Sequence, residues 1–159
     1  MSSGLKLIDV LRDGDDFERL FEGGGIVPLR VTGTSMLPLL HPGRSVVWLE
    51  GIKEPPKRGD ILLFRRNDGA FVLHRVRKIL DGGRLVMNGE AQSWCEVIAP
   101  DAVRAVVRQI DTEKRSYPAD GFTMRIYRLL WTPTLRVRGI ILSVAIRSKR
   151  AFSRLLGEK

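Results

Sequence analysis

The chain has 159 residues, 43% hydrophobic and 28% charged, which suits one folded domain with a proper core plus an appended segment. Its net charge of +9 is uneven: residues 1–112 hold 16 Lys and Arg against 15 Asp and Glu, while residues 113–159 hold 11 against 3. A single cysteine, Cys95, excludes an internal disulfide and suits a reducing compartment, and it reads as a small buried apolar residue rather than a thiol nucleophile. With two histidines and no zinc-type ligand spacing, the sequence supports neither a metal site nor a cofactor.

Residues 5–22 place Leu, Ile and Phe among acids at loosely helical spacing, so a short N-terminal helix is expected. Gly23-Gly24-Gly25 ends it as a hinge, because no lysine or helix start follows to make a phosphate loop. Acids at Asp9 and Asp13 break any apolar run of the signal-peptide kind.

From Ile26 the texture is β. Runs over 26–32, 45–49, 61–66, 70–80, 84–87 and 105–110 are rich in Val, Ile, Leu and Phe. Asn67-Asp68-Gly69 and Asp81-Gly82-Gly83 between such runs are hairpin signals. The spacing predicts a mainly β domain over residues 26–112, preceded by residues 1–25 and followed by a basic helical tail over 113–159. In that tail Ile140, Ile141, Val144, Ala145, Phe152, Leu155 and Leu156 share one helical face, and Arg147, Lys149, Arg150 and Arg154 the other. Its apolar stretch, residues 139–146, falls short of the roughly 20 residues a membrane span needs.

Two residues carry the candidate chemistry. Ser35 stands in Gly33-Thr34-Ser35-Met36-Leu37-Pro38, where Gly33 is expected to allow a tight turn and Pro38 to open a short helix. A serine there is either a nucleophile or a helix cap. His74 lies in the run Phe71-Val72-Leu73-His74-Arg75-Val76, whose alternation sets it on one face with Val72 and Val76 and sets Arg75 and Arg77 on the other. Burial there favours a neutral imidazole able to take a proton, and a hydrogen-bonded core histidine is the alternative. His41, in a Pro-Gly turn, is expected to be solvated.

Four boxes in order, Gly33-Thr34-Ser35-Met36-Leu37-Pro38, Pro42-Gly43-Arg44-Ser45-Val46-Val47, Arg58-Gly59-Asp60-Ile61-Leu62-Leu63-Phe64 and Leu73-His74-Arg75-Val76, resemble the superfamily of type I signal peptidases and LexA-type self-cleaving repressors. The resemblance covers about residues 26–110. It implies a mainly β peptidase fold in which Ser35 attacks a peptide carbonyl. Bacterial members carry Lys at the base position; His74 is similar to the archaeal and endoplasmic-reticulum type. Where the family has a later Gly-Asp box, this chain has Asn88-Gly89-Glu90, which makes Glu90 the implied orienting acid and Asp60 the fallback. The family often places a hydroxyl residue two before the nucleophile. Gly33 stands there, so the oxyanion hole falls to the Ser35 backbone N–H, with Thr34 as a second candidate.

The expectation is a cytoplasmic serine endopeptidase acting on a peptide or precursor protein, with its basic tail offering peripheral contact with the inner membrane face. A non-catalytic binding module on the same fold is one alternative, and a self-processing regulator is another. The nearly neutral β region argues against nucleic acid.

Overall fold

The computed structural model describes residues 20–21, 24–131 and 134. The expected N-terminal helix, apart from residues 20–21, and the amphipathic helix over 140–156 lie outside the described residues.

The described chain is mainly β, with eight strands in one sheet and one α-helix. The strands are β1 (Ile26–Arg30), β2 (Val46–Gly51), β3 (Ile61–Arg65), β4 (Phe71–Ile79), β5 (Leu85–Asn88), β6 (Glu96–Ile98), β7 (Val103–Asp111) and β8 (Ser116–Pro118), followed by α1 (Phe122–Trp131). The order is β1-β2-β7-β3-β4-β5-β6, with β8 paired to the end of β7 and every pairing antiparallel. The six longer strands fall on the six β-like runs of the sequence. β6 and β8 have three residues each, too short for alternation to register. The sheet therefore continues past residue 112, where the sequence suggested that the tail begins.

Both hairpin turns form as their residues dictate. Gly69 takes φ +85° and the Asp68 carboxylate accepts from Ala70 N, closing β3 onto β4. Gly82 and Gly83, at φ +72° and +76°, turn β4 into β5.

Alternation along β3 sends side chains into two cores on opposite faces of the sheet. Ile61 and Leu63 join Met36, Leu40, Val47, Leu49, Val107 and Ile110. Leu62 and Phe64 join Val76, Leu85, Met87 and Val106. Helix α1 seats Met124 in the first core, and its Trp131 Nε1 donates to the Glu90 carbonyl at 3.0 Å. That bond ties the helix to the loop that follows β5.

No helix among the described residues is long and apolar enough to cross a membrane.

Candidate active site

The segment between β1 and β2 is pinned by its apolar residues. Met36 and Leu40 are buried, and Leu40 N donates to the Met36 carbonyl. Ser35, beside these anchors, is held half-exposed at the rim of the core. Its carbonyl accepts from Ala91 N at 2.8 Å, which joins this turn to the loop between β5 and β6. Gly89 makes that approach feasible, since a Cβ there would lie 2.7 Å from the Ser35 carbonyl oxygen.

Two local expectations are corrected. Residues 35–39 form hydrogen-bonded turns with a cis Leu37–Pro38 bond rather than a short helix. The Ser35 hydroxyl and N–H make no hydrogen bond among the described residues, so Ser35 is not a helix cap. Gly33 does not serve a strained turn either: its φ is negative and a Cβ on it would meet nothing within 4 Å.

His74 pairs with Leu62 across β3 and β4, so its ring shares the second core's face with Phe64, Val72 and Val76, as the alternation predicts. It is 1% exposed, and its ring centroid lies 5.9 Å from that of Phe64. Its Nδ1 lies 2.9 Å from Glu96 Oε1, out of line for a hydrogen bond but within ion-pair reach. Arg66 grips the same carboxylate through Nε to Oε2 at 2.8 Å and Nη2 to Oε1 at 2.6 Å. Burial pushes the His74 pKa below its ordinary 6.5, and the Arg66 charge adds to this while Glu96 opposes it. Burial alone would raise Glu96, but the hydrogen bonds and charge of Arg66, together with His74, hold it below the ordinary carboxylate value.

Glu96, not Glu90, is thus the acid beside His74. Glu90 is 3% exposed and pairs with Arg75, whose Nε reaches Glu90 Oε1 at 2.5 Å while Nη1 donates to the Gly59 carbonyl. Register explains the exchange. Met87 pairs with both Val76 and Glu96, which places Glu96 on the His74 face. Asn88 pairs with Arg75, so Glu90, two residues further on, falls on the Arg75 side. Asp60 is also ruled out as the orienting acid: its carboxylate accepts from Lys57 N at the mouth of β3.

Ser35 and His74 line one cavity of about 280 Å³, together with Gly33, Arg66, Leu73 and Gln92. No hydrogen bond joins Ser35 to the imidazole. Thr34 is exposed and outside the cavity lining, so it does not complete an oxyanion hole there. Gln92 was not singled out from sequence, yet its Oε1 accepts from Gly89 N at 3.2 Å, leaving the amide NH2 as a donor at the cavity. Arg66 and Glu96 were also missed, since neither belongs to a recognisable box. His41 is exposed, as its turn suggested. Cys95 is exposed as well, contrary to expectation; its loop leads into edge strand β6.

No protein-family model matches this chain, and none of the curated proteins matches it in sequence.

Proposed function

We propose that the protein is a serine endopeptidase of the signal-peptidase and LexA-like type, with Ser35 as nucleophile and His74 as general base. One observation carries this reading: a single cavity holds Ser35, whose hydroxyl is uncommitted, and His74, whose Nδ1 is backed by Glu96. In the proposed reaction Nε2 of the neutral imidazole takes the Ser35 proton as Oγ attacks the peptide carbonyl carbon. The Ser35 N–H, helped by the Gln92 amide, faces the oxyanion. The imidazolium, stabilised by Glu96, returns the proton to the leaving amine, and water then hydrolyses the acyl-enzyme. The open space over Gly33 leaves room for a substrate backbone. The substrate in this reading is a peptide or precursor protein, and the basic C-terminal segment adds peripheral contact with an anionic membrane.

A binding module on the same fold is the second reading. It is favoured by the missing Ser35–His74 hydrogen bond and by the packing of the imidazole on Phe64. Catalytic contacts are often long in the free enzyme and tighten when substrate binds. Labelling with a serine-reactive phosphonate decides between them. Modification of the wild type that disappears in Ser35→Ala and slows in His74→Ala supports the peptidase; modification that persists in Ser35→Ala removes it.

A further inference from the structure

Helix α1 carries apolar side chains on two sides. Met124 is seated in the first core, and Tyr127 and Trp131, three and seven positions on, share its side and are partly buried. Phe122, Ile126, Leu129 and Leu130, spaced i, i+4, i+7 and i+8, form a second stripe turned away from that side. They are between 42% and 78% exposed, Phe122 the most. Four large apolar residues thus adjoin one another on the outer side of one helix. A contiguous patch of this kind marks an interaction surface, whereas single exposed apolar residues do not.

Arg125 and Arg128 fall on one flank of the stripe, Arg125 exposed and Arg128 half-buried. The sequence that continues from the helix, residues 132–159, has seven Lys and Arg against one acid, Glu158. Whatever meets the stripe must therefore accept apolar side chains and cations together. Two copies of α1 paired through it would bring like charges together, and so would residues 132–159 laid upon it. An anionic lipid surface takes both: its acyl boundary receives the apolar residues and its headgroups receive the guanidinium groups.

We infer that α1 is a membrane-docking helix, which lies in the plane of an anionic bilayer surface with Phe122, Ile126, Leu129 and Leu130 entering it. At ten residues, α1 is too short to span a bilayer, which takes roughly 20, but long enough to lie along its headgroup layer. The inference goes beyond attraction of the basic C-terminal segment, because it assigns binding to burial of a particular apolar face. It does not rest on the peptidase reading.

The test sediments the full chain, at fixed ionic strength, with phosphatidylcholine vesicles that contain or lack phosphatidylglycerol. Wild type is compared with Leu129→Ser, Leu130→Ser and the control Val97→Ser, which alters an exposed apolar residue on edge strand β6. Circular dichroism first shows each variant to be folded. Docking through α1 predicts saturable binding to the phosphatidylglycerol vesicles, weaker without that lipid. Either leucine substitution should weaken it about tenfold or more, the scale of one large apolar side chain withdrawn from water, and Val97→Ser should leave it unchanged. Absence of binding, or binding indifferent to phosphatidylglycerol, overturns the inference. Binding indifferent to both leucines assigns the contact to the basic segment alone and also overturns it. Equal loss in Val97→Ser has the same consequence, since it shows general adhesion of apolar surface. A wild-type dimer that the leucine substitutions dissociate identifies a second copy as the occupant. A marked loss of urea stability in those variants identifies residues of the same chain, and either result overturns the inference.

Discussion

Glu96 Oε1 lies 2.9 Å from His74 Nδ1 while Arg66 holds the same oxygen at 2.6 Å, so one carboxylate stands beside a buried imidazole and is itself clamped. Replacing it by the neutral amide in Glu96→Gln removes the one charge that favours the imidazolium. The His74 titration, followed by NMR, is expected to move further down. Phosphonate labelling should slow by roughly 10²–10⁴-fold, the range seen when the orienting acid of a serine–histidine pair is lost. An unchanged His74 titration would show that the contact is not felt in solution.

The pH dependence of stability follows from the same group. Because burial lowers the His74 pKa from 6.5, the unfolded chain binds more protons than the folded one between the two values. Stability is therefore expected to be full above pH 6.5 and to fall as pH drops through the folded pKa. Glu96, lowered from 4.5, adds a second loss at more acidic pH, as protonation breaks its pair with Arg66. Urea denaturation from pH 7 down to about pH 2 measures both, and His74→Gln should abolish the upper phase. A wild-type profile that is flat below pH 6.5 would contradict the assignment.

Glu90 is structural in this arrangement. In Glu90→Gln the buried Arg75 keeps its charge and loses its counter-ion, which should cost about 3–5 kcal/mol in denaturant unfolding. The His74 titration should not move in the folded fraction. A shift as large as that of Glu96→Gln would return Glu90 to the site.

The two glycines near Ser35 should respond in opposite ways. Gly89→Ala places a Cβ 2.7 Å from both the Ser35 carbonyl oxygen and Gln92 Oε1, so the Ser35 turn must shift, at about 1–3 kcal/mol. Gly33→Ala meets nothing and should stay within about 0.5 kcal/mol of wild type. Thermal unfolding of the two variants checks the contrast. Gly33→Ser adds the hydroxyl that the resembled family often carries at this position, and it is expected to speed phosphonate labelling.

What was legible beforehand depended on range along the chain. Strand alternation around His74 and the turn chemistry of Asn67-Asp68-Gly69 involve residues a few positions apart, and both take the expected form. Gly33 and Pro38 were misread because each residue type suits several backbone shapes, and packing of Met36 and Leu40 selects among them. Cys95 was misread because nothing local says that its loop borders an edge strand.

From sequence alone came the mainly β character, the two hairpins, and Ser35 and His74 as the residues to examine. Only the tertiary structure decided which acid stands behind His74 and that Gln92 and Arg66 reach the Ser35 cavity. The reason is parity. A one-residue difference in strand register exchanges the two faces of a sheet, and register is set by pairing between distant strands. Glu90 and Glu96 are equally plausible carboxylates along the chain, but the pairing of Met87 with both Val76 and Glu96 brings only Glu96 to the imidazole.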